Sequence, residues 1–161
     1  MSSKSSPSYR TSNVDHKLAC QEAKATVVDQ RVSVNFTLRA AAEPIVQYPA
    51  AVNKLKSEGR HDDVDRITTL CKTIATDVDA LTAERDLLDK EYLPKIENPP
   101  RKKGHISAYN AHCTIAGLQY ISLNNRIQAT AGKAAGDFEE ILGKEFTDAQ
   151  KETVLESGAT Q

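Results

Sequence analysis

The sequence predicts an all-α protein, an elongated bundle of three long helices and two short ones behind a flexible N-terminal arm, and three observations predict it. Apolar residues recur at alternating steps of three and four along extended stretches, the period of an amphipathic helix. From Ser8 to Glu43 the chain contains neither Gly nor Pro, so nothing local interrupts a helix there. From Ile106 to Gly132 the only formally charged side chain is Arg126, in a chain that is otherwise 27% charged.

The elements follow in order. Residues 1–12 are Ser-rich with no hydrophobic period and cannot bury enough apolar surface to offset the entropy of ordering, so they are expected to form a disordered arm. Asn13 is a suitable N-cap for a first long helix over residues 13–42. It carries two nearly opposite apolar stripes, Val14, Leu18, Ala25, Val28, Val32 and Phe36 on one side and Cys20, Val27, Val34, Leu38 and Ala41 on the other, which implies packing on both. Residues 31–38 also alternate apolar and polar with β-branched members, a strand signal. Helix is preferred, because a hairpin would have to turn near Asp29-Gln30 without the Gly or Asn of a tight turn, and the run of alanines at 40–42 favours helix.

Pro49 fits the first position of a short helix over 49–57, with Lys54 and Lys56 near its end and Gly59 just past it. The second long helix, 61–93, starts with His61-Asp-Asp-Val-Asp65, acids placed where the helix dipole favours them, and Pro94 is expected to end or kink it. A turn-rich basic connector, Asn98-Pro-Pro-Arg-Lys-Lys-Gly104, leads into the third long helix, 105–142, whose Gly132 and Gly136 suggest a kink or a close helix crossing. Thr147-Asp-Ala-Gln150 reads as a capping box opening a short helix over 147–157, with residues 158–161 a disordered tail. One domain, 13–157, contains all of these helices, and no internal repeat is present.

Bulk properties narrow the function. Net charge is near zero, but it alternates in blocks: about +4 over residues 1–60, −5 over 61–93, +5 over 94–136 and −5 over 137–161. Such blocks can pair within a chain or between chains. Cys20, Cys71 and Cys113 are odd in number and far apart, which argues against a disulfide framework or a zinc site and for a reducing, cytoplasmic setting. No secretory signal is evident, no window is apolar enough for a membrane span, and Glu-x-x-His, Walker and nucleophile-elbow patterns are missing. The expectation is a protein without cofactor, metal or catalytic site.

The candidate residues gather around the third long helix. Ile106, Tyr109, Cys113, Ala116, Tyr120, Leu123, Ile127 and Ala131 form a packing seam. His105, His112, Gln119, Arg126 and Lys133 recur every seven residues as a row of donors on the other side. Exposed helices usually carry Glu and Lys, so a stretch this poor in charge suggests that both faces are covered. The first expectation is therefore a non-enzymatic structural or assembly protein, a self-associating subunit, scaffold or chaperone-like adaptor. Its partner or homo-oligomer contacts would be Tyr109, His112, Gln119, Tyr120, Arg126 and Ile127. The alternative is a nucleic-acid-binding, coat-like subunit. It would use Arg101, Lys102, Lys103, His105 and Lys133 with the N-terminal arm, and Tyr109 would stack on a base. The same connector also reads as a solvated turn.

Overall fold

The computed structural model describes the backbone of residues 5–149 and the side chains of residues 15–149. It is a helical bundle, and no strand occurs among the described residues. The helices are α1 (Ser5–Ala41), α2 (Glu43–Ser57), α3 (His61–Ile96) and α4 (Ile106–Leu142), with a 3₁₀ turn at Lys103–His105 leading into α4. Contacts gather into two units, one formed by the chain up to Asn35 with residues 83–125, the other by residues 36–82 with the chain from Arg126 onward.

In the first unit α3 runs antiparallel to both of its neighbours, as the rungs between them record. Against α1, Lys24 Nζ donates to the Glu97 carbonyl at 2.6 Å, Arg31 pairs with Asp89, and Arg85 Nη1 donates to Asn35 Oδ1 at 2.9 Å. Against α4, Tyr109 and Tyr120 reach Ile96 and Asp89. One partner index rises as the other falls in both sets. Cys20, Val27 and Val34 from α1, Tyr92 and Ile96 from α3, and the Tyr109–Leu123 seam of α4 are the buried apolar side chains.

The second unit is built on the hairpin of α2 and α3. Gly59, at φ 72°, turns the chain, while the Gly59 and Arg60 amides close onto the Lys56 and Leu55 carbonyls. That pattern satisfies the last carbonyls of α2 and needs a residue without a Cβ at the turn. Tyr48 and Thr68 share a hydroxyl hydrogen bond at 2.8 Å across the hairpin. Ala51, Leu55, Ile67 and Cys71 then pack with Phe138, Ile141 and Leu142 of α4 into one buried cluster. Arg60 Nη2 donates to the Ile141 carbonyl at 2.5 Å, holding the end of α4 where Gly143, at φ 90°, stops it.

Several boundaries differ from those the sequence implies, each for a local reason. Residues 31–38 are helical. α1 extends back to Ser5 rather than starting at Asn13, because Pro7 falls in the first turn, where its missing N–H costs nothing. α2 starts at Glu43 rather than Pro49: Pro44 occupies the first turn, and exposed Pro49 sits inside the helix, sacrificing one backbone bond. α3 continues through Pro94 to Ile96, whose buried side chain and hydrogen-bonded carbonyl anchor the last turn.

Gly132 and Gly136 lie within α4, and a Cβ on either would meet nothing within 4 Å, so no close crossing occurs there. Residues 144–149 are helical, and the Thr147 hydroxyl donates to the Gly143 carbonyl one turn back, at 3.0 Å. Thr147 is thus inside the helix instead of capping it; residues 150–161 lie outside the described residues. In α1 the Cys20–Ala41 stripe is buried, whereas Leu18, Val28, Val32 and Phe36 are exposed, so only one of its two apolar sides is covered within the chain.

Candidate functional site

The first half of α4, from Ile106 to Asn125, presents two different faces, because the 3–4 spacing that builds its seam leaves other apolar residues pointing away. On the inner face Tyr109, Cys113, Ala116, Tyr120 and Leu123 are buried. Tyr109 donates its O–H to the Ile96 carbonyl at 2.9 Å, and Tyr120 donates to Asp89 Oδ1 at 2.6 Å. Asp89 also receives both Nε and Nη2 of Arg31, each at 2.9 Å, so one carboxylate ties α1, α3 and α4 together. Burial pushes the Asp89 carboxyl up, but the hydrogen bonds from Arg31 and Tyr120 outweigh it and hold the group below its ordinary value. Burial, reinforced by Asp89, keeps the Tyr120 hydroxyl protonated far above the usual tyrosine range.

The outer face is different. Ile115, Leu118 and Ile121 remain 46%, 61% and 39% exposed, among exposed Ala111, Thr114, Ser122 and Asn125. No Asp, Glu, Lys or Arg occurs between His105 and Arg126. The heptad row runs along one flank of this face, with His105, Gln119 and Arg126 exposed and His112 half-buried; Lys133, on the same helix in the second unit, is exposed as well. Within this chain the row therefore faces solvent, so the cover expected on that side of the helix does not come from the described residues. Ile127 is fully buried, as are Tyr109 and Tyr120, so three of the six expected contact residues are core of this chain.

The basic connector folds against α1. Arg101 and Lys103 line a cleft of about 690 Å³ with Lys17, Cys20 and Gln21, closed by Pro99, Pro100 and Ile106. Lys102 and His105 are exposed but do not line it. Tyr109 cannot stack on a base as expected, because its ring is buried and its hydroxyl is engaged. Cys20 donates to Asn110 Oδ1 at 3.5 Å, and desolvation raises its thiol pKa, as it does for Cys71 and Cys113; these are neutral packing groups rather than nucleophiles. Among the described residues no group of three or more His, Cys, Asp or Glu side chains is arranged to hold a metal, and no helix is long and apolar enough to cross a membrane.

Sequence reasoning missed Arg31, Asp89, Lys17 and Gln21, whose roles depend on partners distant in the chain. It also passed over Ile115, Leu118 and Ile121, although their signal was present: they are the apolar residues of the uncharged stretch that do not fit its seam. Compared with family models, with curated proteins and with solved structures, the chain finds no match.

Proposed function

We propose that this protein is a non-enzymatic assembly subunit that associates with a second copy of itself through the outer face of the first half of α4. The observation that carries this reading is the coincidence of three exposed, large apolar side chains, Ile115, Leu118 and Ile121, with the absence of charge on the same twenty-residue stretch. A two-fold interface sets a patch against its own copy, so any central charge would meet its like; a neutral patch avoids that repulsion. Ala111 and Ser122, two turns and one turn from Leu118 along the face, let a second helix approach closely. Gln119, His112 and Arg126 on the flank then supply a polar rim.

Covering the remaining exposed surface of three such side chains on each of two copies contributes roughly 6 kcal/mol. That is comparable with the freedom two bodies lose on associating, so the association is weak and depends on concentration. Light scattering or sedimentation over a concentration series to about millimolar, at two salt strengths, is the direct test. The expected result is a reversible, salt-insensitive dimer that Leu118→Lys abolishes with helicity unchanged, since Leu118 is largely exposed. A strict monomer throughout, or a dimer indifferent to Leu118→Lys, refutes the reading.

A further inference from the structure

We propose that the cleft between α1 and the 98–104 connector binds nucleoside phosphates, and that it is shaped for successive nucleotides of a single strand. The cleft is independent of the outer α4 face: its residues come from α1, the connector and the first residue of α4. The charge is one-signed. Lys17, Arg101 and Lys103 all stand on its wall and no acid does, which concentrates positive potential in a concave site. Cys20 adds no opposing charge, because burial keeps its thiol protonated.

The rest of the wall is largely apolar, formed by Pro99, Pro100, Ile106 and Cys20, with Gln21 beside them. A phosphate drawn to the cations would thus leave an attached base against proline rings with a donor and acceptor at its edge. The volume, about 690 Å³, is in the range of small-ligand sites.

A second concavity makes the strand the better fit. A groove of about 410 Å³ shares Gln21 and Pro99 with the cleft and continues along α1 past Lys24, Ala25 and Val28 to Asp29. The motif thus repeats once: a cation beside an apolar floor, Lys24 with Ala25 and Val28, next to Lys17 with the prolines. Lys24 Nζ is already held by the Glu97 carbonyl at 2.6 Å, which fixes its charge at the junction rather than leaving it to swing into solvent. Asp29 repels phosphate at the far end and limits the site to two or three nucleotides. A ligand made of repeated phosphate-plus-ring units matches this pattern, whereas an acidic peptide would use the cations and leave the apolar floors without stacking partners.

The test is fluorescence anisotropy of the full chain with a labelled single-stranded oligonucleotide, competed by unlabelled strand, by the mononucleotide, and by polyglutamate of matching charge. Three phosphates neutralised on a single strand give a slope of log K against log salt of about −2. Lys17→Glu and Arg101→Glu, both at exposed positions, are each expected to weaken binding at least tenfold with the circular dichroism spectrum retained. Pro100→Gly is expected to weaken the oligonucleotide but not polyglutamate. A strand that competes far better than the mononucleotide assigns the site to nucleic acid, and equal competition assigns it to free nucleotide. No binding at low salt, binding insensitive to both charge reversals, or polyglutamate competing as well as the strand overturns the proposal.

Discussion

Replacing Asp89 by Asn tests whether the three-helix tie in the first unit is electrostatic or merely a matter of shape. The side chains are almost isosteric, so packing is preserved and the change falls on three hydrogen bonds, two from Arg31 and one from Tyr120. Each bond to a charged group contributes roughly 1.5–3 kcal/mol where water is excluded. The full sum does not apply: Arg31 is 36% exposed and can turn to solvent, and an amide still accepts one bond. The loss is therefore about 2 kcal/mol at neutral pH, most of it from the Tyr120 hydroxyl, which has no water to fall back on.

The pH dependence gives this prediction its sharper edge. The folded-state pKa of Asp89 is depressed, so its contribution is present above the unfolded pKa and is lost as pH falls through the folded one. Below that point wild type and variant both present a neutral group. In urea unfolding followed by circular dichroism, the gap between them should hold its neutral size above the ordinary aspartate pKa of about 4, narrow as pH falls below it and close once pH has passed below the depressed folded-state value, with the dependence on urea unchanged. A gap that is the same at every pH would show that the network acts through shape alone and refute the argument.

Two further outcomes follow from the second unit. Gly132→Ala and Gly136→Ala should each stabilise the protein by about 0.5–1 kcal/mol, because both glycines lie in a helix where an added Cβ meets nothing; an unchanged or lowered urea midpoint contradicts this. Phe138→Ala should cost about 3–5 kcal/mol by the same measurement. It empties a buried position whose ring sits 6.4 Å from that of Phe146, and a loss under about 1 kcal/mol would mean that the cluster collapses to fill the space.

The interior of α4 was legible because Tyr109, Cys113, Tyr120 and Ile127 keep the helical period without a break, and period alone decides which residues share a face. α1 was legible only in part. Its two apolar stripes are equally good by spacing, and the choice between them is made by residues 50 to 73 positions away: Arg85 meeting Asn35, Asp89 meeting Arg31, and Glu97 meeting Lys24. The helix boundaries lie beyond those expected at Pro49 and Pro94 for a similar reason, since the loss of one backbone bond is small beside the burial of Ala51 and Leu55 after the first and of Ile96 after the second. The basic cleft was half visible: Arg101 and Lys103 are adjacent in a charged run, but Lys17 joins them only through the fold.

The inner neutrality of α4 has a folding explanation once Asp89 is in place. Tyr109 and Tyr120 spend their hydroxyls on Ile96 and Asp89, and a charge anywhere along that seam would have been buried without a partner. The seam therefore no longer argues for a partner molecule. The outer face does, because a Lys or Glu at 111, 114, 115, 118, 121 or 122 would project into water at no desolvation cost and could add favourable pairs one turn apart. A chain that places such pairs elsewhere, as Lys54 with Glu58 and Arg60 with Asp63, yet leaves isoleucine and leucine on this face, has the pattern that the proposed self-association requires, since charge there would spoil the contact.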